Sequence, residues 1–180
     1  MSRNKSPSAG GGAAAPSSRS ATRRLLKEME TWRAEQPEEG GIERLGPAGA
    51  EDDLFRWEAV INGHGIGHGY DAGRWLLSIT IPPTYPLAPP KITFATPVVH
   101  PNVHLQTGEV CLDLLSGSAW TPAYSVLESV RAVRMLLGLP ETDSPLNVDA
   151  AALIRGGDAL GARRLVECWC ADGEGRYDGP

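Results

Sequence analysis

At 180 residues, 41% hydrophobic with 21 glycines and 15 prolines, the chain is about one domain's worth and leaves no room for a second folded unit. Its three cysteines are an odd number with no secretory signal beside them, which argues against a disulfide scaffold and points to a reducing compartment. The net charge of −5 divides into +5 on residues 1–24, from Arg3, Lys5, Arg19, Arg23 and Arg24, and −10 on the remainder; such a body repels phosphate, which excludes nucleic acid as a partner, and no apolar run approaches the ~20 residues of a bilayer span, which excludes direct membrane insertion.

From Met1 to about Ser20 the composition is Ser, Gly, Ala and Pro with scattered Arg, too poor in apolar side chains to offset ordering entropy, so residues 1–20 read as a disordered basic tail. Thr22 is the expected cap of a helix running to about Glu35, with Leu25, Met29 and Trp32 on its core side and Pro37 stopping it. Four strand-like runs follow, Ile42–Leu45, Leu54–Asn62, Trp75–Ile81 and Lys91–Phe94, which predict a meander of short antiparallel strands. Between the second and third, residues 63–69 hold four glycines in seven and must form a loop. His64 and His68 lie in it, but with no further ligand cluster beside them a metal site is not expected.

Residues 82–90 are dominated by proline, which removes N–H donors and fixes φ, so this segment is expected to be a rigid exposed loop. From His100 to about Thr121 there is no sustained period, only the short apolar patch Val110–Leu115. Helical spacing returns at Val126, Val130, Val133 and Leu137, and Gly138 and Pro140 end that helix. Two further helices are predicted, over about Val148–Ile154 and Asp158–Trp169. A helix, then strands, then a long irregular segment, then helices is the order of an α+β domain. The expected domain covers 21–172, with 173–180 as a flexible C-terminal end.

The irregular segment carries the chemistry. It runs from His100-Pro101-Asn102 to Val110-Cys111-Leu112-Asp113. On its own, Cys111 is either a small buried apolar residue of the Val110–Leu115 patch or a nucleophile. No Lys or Arg adjoins it in sequence and Asp113 lies two residues on, so no strongly depressed thiol pKa is expected and reactivity would come from positioning.

His-Pro-Asn followed some ten residues later by Val-Cys-Leu-Asp resembles the active-site signature of ubiquitin-conjugating enzymes. Other pieces stand in that family's order: Arg24-Leu25-Leu26-Lys27-Glu28-Met29, the Tyr85-Pro86 and Pro89-Pro90 pairs, Trp120-Thr121-Pro122-Ala123, and Ser144-Pro145-Leu146. The resemblance covers roughly residues 22–170. It implies the family's fold, a four-stranded antiparallel meander with an N-terminal helix and C-terminal helices, and an enzyme that carries ubiquitin as a thioester on Cys111. A thiolate suits that task, being both a good nucleophile and a tolerable leaving group.

The same resemblance implies roles for other residues. Asn102 would donate a hydrogen bond to the oxyanion of the tetrahedral intermediate, although an Asn here also readily pins its own loop. His100 would be structural. Asp143 and Ser144 occupy the place where many members carry the acidic acceptor for the incoming amine; Ser144 weakens that acceptor and leaves a thiol acceptor open. Arg24, Lys27, Leu87, Pro122 and Ala123 would face the RING-type ubiquitin ligase, with the basic helix also facing the ubiquitin-activating enzyme, and Glu128, Arg131 and Met135 would form one exposed stripe for donor ubiquitin. Leu87 stands where many relatives have Phe. The chain itself would need no cofactor, ATP being consumed by the activating enzyme.

Cys111 stands eleven residues after His100, one more than the commonest family spacing. With the turn at 143–147 and Leu153-Ile154-Arg155-Gly156-Gly157-Asp158, this resembles the peroxisomal branch of the family. That branch implies an import receptor as substrate, a membrane-anchored peroxin as tether, and a place on the cytosolic face of the peroxisomal membrane. Spacing does not place the anchor surface, for which the helices around Ala159–Trp169 are the candidate. Cys168 and Cys170, one residue apart, cannot easily bridge each other. The rival readings are a non-catalytic ubiquitin-binding adaptor, a conjugating enzyme of another pathway or modifier, and a thiol hydrolase using His100 or His104 as base.

Overall fold

In a computed structural model describing residues 16–49 and 53–180, the chain opens with helix α1, Pro16–Glu35. Ala21, Leu25 and Trp32 recur at helical spacing and are buried, with Met29 packed against the same core. The helix begins six residues before the expected cap at Thr22. Proline is well tolerated in a first turn, and the extra turns bring Ala21 into the core beside Leu25. The disordered tail expected over 1–20 is corrected accordingly: residues 16–20 are helical, and residues 1–15 lie outside the described residues.

The four strands are β1, Ile42–Pro47, β2, Arg56–Asn62, β3, Arg74–Thr80, and β4, Lys91–Phe94. They pair in chain order, all antiparallel. Opposed apolar pairs, Trp57 with Ile79, Ala59 with Leu77, Ile61 with Trp75 and Leu77 with Phe94, line the buried face. Each large side chain so buried stabilises by about 1.5–3 kcal/mol relative to exposure. Leu54 and Phe55, expected within the second strand, form a turn in which Trp57 Nε1 donates to the Leu54 carbonyl at 2.9 Å.

In β1 a register shift between Ile42 and Arg44 leaves Glu43 as the extra residue of a bulge. The bulge aims its carboxylate at Arg74, 2.7 Å away, and at the Asn62 amide, 3.1 Å away. Burial alone would raise the Glu43 pKa; these bonds outweigh it and hold the carboxyl below its ordinary range.

Helix α2, Val126–Leu136, starts with a capping box in which the Ser125 hydroxyl accepts from Glu128 N and the Glu128 carboxylate accepts from Ser125 N. Val126, Val130 and Val133 enter the core. Two adjacent guanidiniums tie the helix down. Arg131 pairs with Glu35 and Glu39, each at 2.8 Å, and Arg134 donates to the carbonyls of Asn62 and His64. Helices α3, Val148–Arg155, and α4, Ala159–Ala171, are capped by Asn147 and Asp158.

Beyond α4, the segment expected to be a flexible end lies against the sheet. Arg74 donates to the carbonyls of Tyr177 and Gly179 at 2.8 and 2.7 Å, Tyr177 N donates to the Arg74 carbonyl, and Arg176 donates to that of Ala72. Among the described residues no helix is long and apolar enough to cross a membrane.

Candidate active site

The segment after β4 folds back on itself and presents Cys111. His104 N donates to the Glu109 carbonyl and Gly108 N to that of His104, while Phe94 N donates to the Gly108 carbonyl. This last contact needs glycine. Gly108 has φ +67°, and a Cβ there would stand 1.9 Å from the Phe94 carbonyl oxygen. From that anchor the chain bridges Thr93 through Glu109 and Val103 through Val110, and Cys111 N donates to the Asn102 carbonyl at 2.9 Å. The backbone of Cys111 is thus fixed to the His-Pro-Asn turn. Its side chain is exposed, in a shallow groove of about 430 Å³ lined with Pro89, Lys91, Glu109, Leu115 and Leu146.

The histidines of this region serve its backbone. His100 is 0% exposed, and its Nδ1 accepts from Asn102 N at 3.1 Å, so the neutral ring carries its proton on Nε2. That nitrogen is buried without a hydrogen bond of proper geometry. Burial pushes the pKa down to about 4, with the Leu136 backbone opposing only weakly. The His100 ring is therefore out of reach of a reacting group at the surface. Nδ1 of His104 accepts from Gln106 N and Thr107 N at 3.3 and 3.2 Å.

Asn102 is 1% exposed, and both ends of its amide meet Glu141: Nδ2 donates to the Glu141 carbonyl and Oδ1 accepts from Glu141 N, each at 2.8 Å. The Pro101 carbonyl accepts from Leu146 N and Asn147 N at 2.8 and 2.9 Å. The loop from 141 to 147 is thereby held to the His-Pro-Asn turn at both ends. Asp143 and Ser144 lie exposed between those two attachments, and Leu146 reaches the groove of Cys111.

The other sequence candidates separate into two surfaces. Lys27, Leu87, Pro122 and Ala123 are exposed, Leu87 at 78%. Arg24 is not free: it donates to the carbonyls of Pro122 and Tyr124 at 3.1 and 2.9 Å and to Glu28 at 2.6 Å. Trp120 Nε1 donates to the Pro86 carbonyl at 2.7 Å, joining the proline-rich loop, whose Tyr85–Pro86 peptide is cis, to the same turn. On α2, Glu128 and Met135 are exposed, and Arg131 beside them is half-exposed, paired with Glu35 and Glu39.

Two features were missed in sequence. Glu28 looks like one more charge on α1, yet it is buried, and its carboxylate accepts from Arg24, from the Tyr85 hydroxyl at 2.6 Å and from Val126 N at 2.8 Å. It joins α1, the proline-rich loop and the start of α2. Its place at helical spacing between Leu25 and Trp32 was the available signal. Burial first, and this bond second, push the Tyr85 hydroxyl pKa up. Lys91, twenty residues before Cys111, lines the same groove, where its ammonium pairs with Glu109 at 3.0 Å.

A family model described as ubiquitin-conjugating enzyme matches residues 24–166. A Gibberella zeae protein named ubiquitin-conjugating enzyme E2 PEX4 is 72% identical over 166 residues, covering 92% of this chain and 95% of that one. Arabidopsis thaliana Protein PEROXIN-4 is 37% identical over 146 residues, covering 81% and 90%. Among solved structures, H. polymorpha ubiquitin conjugating enzyme Pex4p, crystallised with the soluble domain of Pex22p, superposes with a TM-score of 0.77 at 36% identity, covering 84% of this chain and 97% of that one.

Proposed function

The chain belongs to the ubiquitin-conjugating enzyme family, and from that premise we propose that Cys111 takes the C-terminal carboxylate of ubiquitin as a thioester from a ubiquitin-activating enzyme and passes it to the peroxisomal import receptor. The observation that carries the chemistry is the exposed Cys111 side chain on a backbone bonded to the His-Pro-Asn turn. Such a site offers a thiol in an open groove with no histidine free to activate water against the thioester. That also speaks against the thiol hydrolase, whose base would have to be His100 or His104.

Within the transfer step, Asn102 is assigned the oxyanion. Its Nδ2 carries two hydrogens, of which Glu141 takes one. Asp143 and Ser144, on the exposed loop, receive the incoming nucleophile, and the weak acceptor at Ser144 suits a cysteine as well as a lysine target. Lys27, Leu87, Pro122 and Ala123 make the surface for the RING-type ligase, with Arg24 bracing it from behind. Glu128 and Met135 on α2 offer the face for donor ubiquitin. ATP is spent upstream by the activating enzyme.

The peroxisomal assignment is supported by the relatives named PEX4 and by the solved relative's pairing with Pex22p. The tether for this chain is a membrane-anchored peroxin of the Pex22 kind, placing it on the cytosolic face of the peroxisomal membrane. Incubating the chain with activating enzyme, ATP and ubiquitin should give an adduct that a reducing agent removes. Cys111→Ala should abolish it and Cys111→Ser should give a thiol-resistant ester. An adduct that survives loss of Cys111 overturns the assignment. Alkaline carbonate should strip the protein from isolated peroxisomes; retention would overturn tethering.

A further inference from the structure

A lysine approaching Cys111 needs somewhere to leave a proton, and Ser144 offers only a hydroxyl. Of the described residues that line the groove of Cys111, Glu109 carries the one carboxylate. Its place follows from the strand-like pattern of the segment. Glu109, Val110 and Cys111 alternate exposed, half-buried and exposed, and Val110 packs against the core. Such alternation sets Glu109 and Cys111 on one face of an extended segment.

The backbone on either side is fixed. Phe94 N donates to the Gly108 carbonyl, Thr93 faces Glu109 across an antiparallel bridge, and Cys111 N donates to the Asn102 carbonyl. Two residues apart on such a segment, the Cα atoms of Glu109 and Cys111 are separated by about 7 Å. A glutamate side chain with an amine bonded at its end spans that distance. The carboxylate already holds one amine, for Lys91 Nζ reaches diagonally across from β4 to within 3.0 Å of Glu109 Oε1. Both side chains are more than half exposed, and a pair of this kind is worth only about 0.2–1 kcal/mol. A second lysine can therefore take the place of Lys91 on the carboxylate at little cost.

We infer that Glu109 is the carboxylate that receives a substrate lysine beside Cys111 and takes its proton during transfer, with Lys91 as its resting partner. This rests on the reading of Cys111 as a thioester carrier. The incoming ammonium displaces Lys91, loses one proton to solvent, and its nitrogen adds to the thioester carbonyl carbon. A second proton, made acidic by that addition, passes from the nitrogen to the Glu109 carboxylate. The carbon–sulfur bond breaks, the carbonyl re-forms as an isopeptide, and the departing thiolate takes the proton from Glu109 to leave a free Cys111 thiol. No oxidant or further reactant is needed.

The test charges the full chain with ubiquitin, activating enzyme and ATP, quenches further charging, and follows discharge to free lysine and, separately, to β-mercaptoethanol. Glu109→Gln should charge as the parent does and then discharge to lysine about 10²-fold more slowly. Its discharge to the thiol, which sheds a proton near neutral pH with less help, should be unchanged. Lys91→Gln should act in the opposite sense and raise the rate at limiting lysine about 1.5- to 5-fold by freeing the carboxylate. A loss shared equally by lysine and thiol would reduce Glu109 to a support for the Cys111 loop and overturn the inference. Slower lysine discharge in Lys91→Gln, or a loss in Asp143→Asn with none in Glu109→Gln, would overturn it too. Absence of any reducible adduct in the parent chain would instead overturn the carrier reading, and this inference with it.

Discussion

Asn102 and Glu141 exchange two hydrogen bonds of 2.8 Å, side-chain amide to backbone amide, across 39 residues of sequence. The pair fastens the loop bearing Asp143 and Ser144 to the turn that holds the backbone of Cys111. Replacing Asn102 by Ala leaves two backbone groups of Glu141 without these partners, at a cost of about 1–3 kcal/mol in urea unfolding. If Asn102 also serves the oxyanion, discharge of the charged enzyme to a small amine falls about 10²- to 10³-fold as well. Lost stability with unchanged discharge would reduce Asn102 to a loop fastener.

Glu28 holds three partners from three parts of the fold, and Tyr85 is the one that can be removed most cleanly. Tyr85→Phe should cost about 1.5–3 kcal/mol, the range for a hydrogen bond to a charged group. A double-mutant cycle with Glu28→Gln should show coupling of about 0.5–3 kcal/mol. Additive effects in denaturant titrations would mean that the 2.6 Å contact contributes nothing of its own.

The buried His100 makes stability depend on pH. Its folded pKa of about 4 lies below the ordinary 6.5, so the unfolded chain binds the extra proton between those values. The contribution is whole above about pH 6.5 and is lost as pH falls toward 4. Between pH 7 and pH 5 the loss is about 2 kcal/mol. Urea midpoints across this window should fall in the parent chain, and His100→Gln should flatten that part of the profile. An equal slope in both proteins would refute the assignment to His100.

Gly108 combines a left-handed φ with a carbonyl where a side chain would begin. Gly108→Ala should cost at least about 2 kcal/mol and slow charging of Cys111 by shifting its loop off β4. Gly117, with open space around its Cβ position, is the control, and its change to Ala should stay within about 0.5 kcal/mol. Equal thermal melts for the two variants would show that the loop relaxes freely.

The strands, α2, α3 and α4 were legible because local pattern carries them: strand-like apolar runs between turn residues, and the 126-130-133-137 series closed by Gly138 and Pro140. The start of α1 was not, since its first residues are small and polar, and Ala21 gives that stretch its hold on the core. At the site, Cys111, Asn102 and His100 stand in one motif. What joins Asn102 to Glu141, Glu28 to Tyr85, and Lys91 to the groove is contact between residues far apart in sequence, which no local period encodes. Arg24 and Arg131 were read as surface charges because a guanidinium braced by carbonyls or carboxylates has the same letter as one in water.

The neighbouring arginines of α2 differ in the kind of partner each has chosen. Arg131 is matched to two carboxylates, full charges on partly exposed side chains, whose pairing weakens as added salt shortens the Debye length. Arg134 is matched to two peptide carbonyls, dipoles tied to a fixed backbone. Rising ionic strength therefore loosens the helix from α1 before it loosens it from the glycine-rich loop, so one side of α2 responds to the electrolyte while the other is indifferent to it.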